Sequence, residues 1–166
     1  MDIALFSNCY NVRRMDRQDV PDIYSLCSKN SLYYKYCPPF VTTQSIVDDM
    51  KALPPKKEIV DKYYIGYYDG EKLIAVMDFI MGYPYEKTAF IGFFMTDVSI
   101  QNTGIGSKII EDLCSYLLKI GILSVRLGWV KGNLQAEHFW HKNDFLEIGI
   151  THKTEKYTVV MAERVL

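Results

Sequence analysis

Apolar positions along the 166 residues keep two periods, and the switches between them divide the chain into elements. In "DRQDVPDIYSLCSKN" (16–30), Val20, Ile23, Tyr24 and Cys27 recur at helical spacing, with Asp16 as N-cap. Residues 42–53 form a second, shorter helix, opened by Thr42 and stopped before Pro54 and Pro55. Between them, "SLYYKYCPPF" (31–40) is dense in aromatics, closes on two prolines and reads as an irregular loop. From residue 62 the period shortens. Apolar and aromatic runs flank Asp69-Gly70, a hairpin signal, and "TAFIGFFMTDVSI" (88–100) follows as a strand apolar enough for burial on both faces. The helical period returns over 104–120, where Ile109, Ile110, Leu113, Tyr116, Leu117 and Ile120 make one stripe and Gly121 suits the C′ position. A strand at 122–130, a helix at 132–143 capped by Asn133 and two closing strands complete the chain. With "YNVRRM" (10–15) as the first strand, the order is β α α β β β α β α β β. It predicts an α/β (α+β) fold as one domain over 1–166. The central sheet has about seven strands, mostly antiparallel, with flanking helices and one right-handed parallel crossover.

Composition narrows the function. A length of 166 residues suits one domain with a real core. Hydrophobic residues are 49% and the formal net charge is −1, with no basic block, so neither nucleic acid nor an anionic membrane is predicted as a partner. Cys9, Cys27, Cys37 and Cys114 are scattered, without disulfide or zinc spacing, and read as reduced thiols of a cytoplasmic protein. The N-terminal stretch lacks the pattern of a signal peptide, and no apolar run spans a bilayer. His138 and His141 lie one helical turn apart with no third ligand in view, so a solvated face is predicted and no metal.

The chemistry gathers at "VSIQNTGIGSKII" (98–110), where two glycines open a helix. A Walker loop needs four residues between its glycines, and a dinucleotide fingerprint needs a third glycine at Ile109; both fail. What survives is a short turn whose backbone N–H groups, with the helix N-terminus, face one pyrophosphate. Gly104 and Gly106 admit it, and Gln101 braces the loop. Two such glycines equally suit a bare strand-to-helix turn.

Context sharpens this. Gln101-Asn102-Thr103-Gly104-Ile105-Gly106, after a strand and before an amphipathic helix, resembles the Q/R-x-x-G-x-G/A signature of the GNAT superfamily of acyl-CoA-dependent N-acetyltransferases. "GNLQAEHFWHKNDF" is similar to that family's later motif, with Asn133, Ala136, Phe139, Trp140, Lys142 and Phe145 in order. The resemblance is strongest over 94–145 and weak before residue 60. It implies acetyl-CoA as cosubstrate, with its pyrophosphate on the backbone of Gln101, Asn102, Thr103, Gly104, Ile105, Gly106 and Ser107. It implies a pantetheine arm along the strand edge at Phe94, Thr96 and Val98, and Asn133, Phe139 and Trp140 on the next helix against the cofactor. The sheet is expected to splay between strands 88–100 and 122–130. Dimers are common in such folds, so a homodimer is compatible with the resemblance.

The implied reaction is direct acetyl transfer to a primary amine. An alkyl amine of pKa about 10.4 must lose a proton first, often to a carboxylate through water. The resemblance puts Phe90 where histone-type relatives carry their base, and Trp140 where many members carry a Tyr acid; an indole N–H donates but is no useful acid. Asp97 and Asp78 are the base candidates among the remaining carboxylates. Tyr33 and Tyr34 of "YYKY", with Tyr83, are candidates for the acceptor site, packing being the alternative for each. A catalytically weak acetyl-CoA sensor of the same fold is the alternative function.

Overall fold

The computed structural model describes residues 1–166. Strands β1 (Asn11–Arg14), β2 (Lys62–Asp69), β3 (Lys72–Met81), β4 (Thr88–Thr96), β5 (Ser124–Val130), β6 (Leu146–Lys153) and β7 (Thr158–Val165) form one sheet in the order β1-β2-β3-β4-β5-β7-β6. Five pairs are antiparallel and β4–β5 alone is parallel. Helix α4 (Ile105–Lys119) makes the parallel crossover, as the return of the helical period over 104–120 predicts.

Each face of the sheet carries its own core. On one, the α4 stripe Ile109, Ile110, Leu113 and Leu117 packs with Phe6, Met77, Phe79, Val125, Leu127 and Phe145. Helix α5 (Leu134–Lys142) adds Trp140 to this side. On the other, α1 (Val20–Ser28) and α3 (Thr43–Asp49) bring Ile23, Leu26, Cys27 and Ile46 against Tyr64, Val76 and Met95. Full burial of each such aliphatic side chain stabilises the fold by about 1.5–3 kcal/mol.

Several boundaries differ from the sequence expectation. Residues Ser31–Tyr36 form a short helix, α2, where an irregular loop is predicted. None of its residues is fully buried: Tyr33 and Tyr34 are half-buried and Leu32 is exposed, so no continuous apolar stripe marks it. Asp16 caps a 3-10 turn, Arg17–Asp19, and α1 begins only at Val20. The strand predicted to reach residue 100 stops at Thr96, because the Asp97 carboxylate accepts bonds from the Ser99 N–H (2.9 Å) and Oγ (2.6 Å) and turns Val98–Ile100 into a 3-10 turn. Val98 therefore lies off the strand edge. Nor is β4 buried on both faces: Phe90, Phe93, Phe94 and Thr96 are half-buried and Gly92 is exposed. Its apolar run faces a cleft.

Candidate functional site

The cleft exists because β4 and β5 part company. Their ladder runs from Thr88↔Ser124 to Ile91↔Leu127 and ends there. At that level the β3–β4 register slips: Phe79 pairs with Ile91 while the adjacent Asp78 pairs with Phe93, leaving Gly92 as the bulged residue. A bulge bends its strand and strengthens its twist, which turns Gly92–Thr96 away from Gly128–Val130. Glycine is required at both lips. A Cβ on Gly92 would lie 2.9 Å from Asp78 Oδ2, and one on Gly128 would lie 2.6 Å from Val159 Cγ1. The opening has a volume of ≈ 670 Å³.

One end of the cleft is the mouth of α4. Gly104 caps the helix at φ +89°, with no side-chain cap, so the first helical N–H groups keep no intrahelical partner. Nothing lies within 4 Å of a Cβ built on Gly104, whereas one on Gly106 would meet Phe139 Cε2 at 3.2 Å and Thr96 Cγ2 at 3.5 Å. The two glycines thus serve different ends: Gly104 makes the turn and leaves space, and Gly106 lets α4 close on α5 and β4. Gln101 braces the loop through an unforeseen residue. Its Nε2 donates to Asn30 Oδ1 (2.7 Å), and Asn30 Nδ2 donates to the carbonyls of Leu26 (3.1 Å) and Thr96 (3.2 Å). Asn30 is buried, and it ties α1, β4 and the loop together.

Most residues nominated for coenzyme A converge here. Phe94 and Thr96 line the cleft from β4; Gln101, Asn102, Gly104, Gly106 and Ser107 line it from the loop and helix mouth. Asn133, Phe139 and Trp140 line it from α5. Asn133 Oδ1 also accepts the Ala136 N–H at 3.2 Å, the cap its sequence position predicts. Val98, Thr103 and Ile105 are not part of the lining. Thr103 Oγ1 donates to the Ile100 carbonyl at 2.6 Å, and Ile105 packs on the α4 core.

The residues nominated for catalysis and for the acceptor scatter. Asp97 lies outside the lining; burial raises its carboxyl, but bonds from Ser99 and Lys29 outweigh this and hold it below the usual carboxylate range. Asp78 also lies outside the lining, and both its oxygens accept from the buried Lys62 Nζ at 2.7 Å. Burial pushes the Asp78 carboxyl up despite that partner. Trp140 is buried among Phe94, Phe139 and Phe145. Tyr33 lines the cleft, edge-on to Phe93 with ring centroids 5.7 Å apart. Tyr34 does not; it packs on Tyr33 and Phe40. Tyr83 stands behind Phe90, outside the lining.

Cys37 and Tyr157, which no sequence motif assigns to a site, line the cleft together with Tyr33. Cys37 beside it, then burial, pushes the Tyr157 phenol up to about 12; burial pushes the Tyr33 phenol well up. Both stay protonated at neutral pH and so keep an O–H able to donate. The ionisable lining residues are Tyr33, Cys37, His138, Lys142 and Tyr157: two phenols, a thiol, an imidazole and an amine, without a carboxylate. No group of three or more His, Cys, Asp or Glu side chains is arranged to hold a metal, and no helix is long and apolar enough to cross a membrane.

Comparison with known proteins gives this architecture a family. The model of the Acetyltransferase (GNAT) family matches residues 30–145. The chain belongs to that family. Among solved structures it is similar to an acetyltransferase from Thermus thermophilus, at 17% identity over 95% of this chain and 97% of that one, with a TM-score of 0.75. It is similar to RimL, a ribosomal alpha-N-protein acetyltransferase in complex with coenzyme A, at 20% identity over 99% and 98%, TM-score 0.71. It is also similar to the PaiA N-acetyltransferase from Thermoplasma acidophilum in complex with coenzyme A, at 13% identity over 93% and 99%, TM-score 0.66. At these identities the likeness establishes the fold. No curated protein matches the chain by sequence.

Proposed function

We propose that the chain transfers the acetyl group of acetyl-CoA directly to a primary amine. The observation that carries this reading is one continuous cleft, running from the open mouth of α4 into the splay between β4 and β5. The space beside Gly104 and the unpaired helix N–H groups suit a pyrophosphate, which would rest on the backbone of Gln101 to Ser107. An extended pantetheine arm suits the part of β4 that has left β5, at Phe94 and Thr96, as an added strand. Asn133, Phe139 and Trp140 wall the same passage.

Bound acetyl-CoA supplies a thioester whose leaving thiol has a reference pKa of about 8.5. The amine nitrogen's lone pair forms the C–N bond at the carbonyl carbon, the C–S bond breaks with its electron pair on sulfur, and the amine's extra proton passes to water. A β4 N–H freed by the splay is the proposed donor to the carbonyl oxygen. Tyr33 and Tyr157 are the proposed donors to the departing sulfur, since Trp140 stands where relatives carry a Tyr acid. Direct transfer forms no acetyl thioester on the chain, so its intact mass is expected to be unchanged after incubation with acetyl-CoA alone. The four free cysteines favour a cytoplasmic location.

Acetyl-CoA incubated with a panel of amines should release free thiol, and Gly104→Glu should abolish both binding and release. Unchanged coenzyme A affinity in that variant would refute the phosphate assignment. The buried Trp140 and the carboxylate-free lining favour a second reading, a sensor that binds acetyl-CoA without turnover. Tight binding with no thiol release across polyamines, aminoglycosides, amino acids and peptides would select it.

A further inference from the structure

We infer that the acceptor is the α-amino group of a peptide whose first side chain is apolar, rather than a lysine side chain, a polyamine or a free amino acid. This rests on the acetyltransferase reading above and concerns the end of the cleft away from α4. There the wall is Tyr33 from α2, Cys37 just after it, Phe93 from β4, Tyr157 from the turn before β7, and Val159 and Met161 from β7. Gly128 is what lets β7 contribute. Val159 Cγ1 and Met161 Sδ reach to 2.6 and 3.1 Å of the place its Cβ would take, on the face of β5 opposite the core residues Leu127 and Trp129.

The charges around this wall set the acceptor's chemistry. α2 supplies a phenol and the residue after it a thiol, the β6–β7 turn a phenol, and α5 supplies His138 and Lys142. β4, β5 and β7 supply no ionisable side chain to the lining. Beside Gly92, the Asp78 carboxylate, 2.9 Å from the place a Gly92 Cβ would take, is held on both oxygens by Lys62 and is not free to pair with an acceptor. A cationic acceptor therefore finds no lining carboxylate to pair with its charge or take its proton. At pH 7.5 a lysine amine, with a reference pKa of 10.4, is about 0.1% neutral; a peptide α-amine, at 7.7–8.0, is roughly a third neutral. The second arrives competent to attack with water as the only proton acceptor, and the first does not. A free amino acid would also press its carboxylate against Phe93, Val159 and Met161, at a desolvation cost with no partner. An apolar first side chain instead buries against them.

The test uses the intact chain, acetyl-CoA and two synthetic peptides of matched sequence. One has a free N-terminus, an apolar first residue and no lysine; the other has a blocked N-terminus and one lysine. Thiol release and the mass of the product give kcat/KM for each. The expected result at pH 7.5 is a preference of about 100-fold or more for the α-amine. Log kcat/KM should rise with pH and level off at the α-amine's own pKa, and that inflection should move up when β-alanine, a more basic amine, replaces the first residue. An acidic first residue should lower kcat/KM by about 10-fold. Acetylation of the lysine peptide in preference, or an inflection that stays fixed when the acceptor's pKa changes, overturns the acceptor assignment and leaves the acetyltransferase reading intact. No thiol release from either peptide, with release from another amine of the panel, overturns the acceptor assignment alone; no release across the whole panel overturns both.

Discussion

At the α4 end the cleft is lined by backbone and by glycines, while at the α2 end it is lined by side chains from three distant elements. The first end is local in sequence. Gln101 to Ser107 sit on one turn, and Gly104 fixes its conformation at φ +89°. The second end gathers Tyr33, Cys37, Phe93, Tyr157, Val159 and Met161, and only the sheet brings them together. A common ligand portion suits a pre-formed backbone cradle, whose N–H groups belong to no particular side chain. A variable acceptor suits walls that change one residue at a time.

Substitutions can break or sharpen this contrast, and the largest effect should come from the ion pair beside Gly92. Asp78→Ala would strand the buried Lys62 charge, and unfolding free energy should fall by about 3–5 kcal/mol in denaturant titrations. The double replacement Lys62→Met with Asp78→Leu should recover most of it; if it does not, the pair does more than balance charge. Gly128→Ala should cost about 1–3 kcal/mol by forcing Val159 and Met161 out of the cleft, and should change the acceptor KM with little effect on coenzyme A affinity. Equal loss of both would show that the two ends are not separable. Asn30→Ala should do the reverse. It removes the brace on Gln101, worth about 1 kcal/mol, and should weaken coenzyme A binding roughly 5- to 10-fold by calorimetry with the acceptor KM unchanged.

The smallest effect concerns what anchors α4 from behind. The buried Asp112 carboxylate accepts from the Asn8 N–H (3.0 Å), Asn8 Nδ2 (2.9 Å) and Lys108 Nζ (2.7 Å). Burial raises its carboxyl, but the Lys108 and Asn8 bonds outweigh this and hold it below the usual range. A depressed folded value means that its contribution is complete above about pH 4 and is lost as pH falls through the folded pKa. Asp112→Asn should cost about 1 kcal/mol at pH 7, discounted because Lys108 is half-exposed, and should flatten the acid limb of the stability curve. An unchanged acid limb would remove Asp112 from that role.

The same contrast explains what the sequence disclosed. Helix α4 is legible because Ile109, Ile110, Leu113 and Leu117 carry a helical stripe and Gly121, at φ +89°, ends it. The hairpin at Asp69-Gly70 and the cap at Asn133 are equally local. Helix α2 is not legible because its aromatics carry no helical period and none is fully buried, so the stretch looks like a loop. Asn30 gave no signal, since its three partners come from α1, β4 and the loop. Gly92 and Gly128 did leave one: a glycine inside a strand marks a bulge or a close approach, and these two mark the lips of the cleft. Asp97 and Asp78 are not told apart by sequence, because a carboxylate in or beside a strand looks the same whether it caps a turn, neutralises a lysine or faces a substrate.

Amide hydrogen exchange on the intact chain, with and without coenzyme A, tests the central assignment most directly. The account predicts added protection at Gln101–Ser107 and along Gly92–Thr96, with the β2–β3 hairpin unchanged. Binding of coenzyme A without protection at Gln101–Ser107 would contradict it.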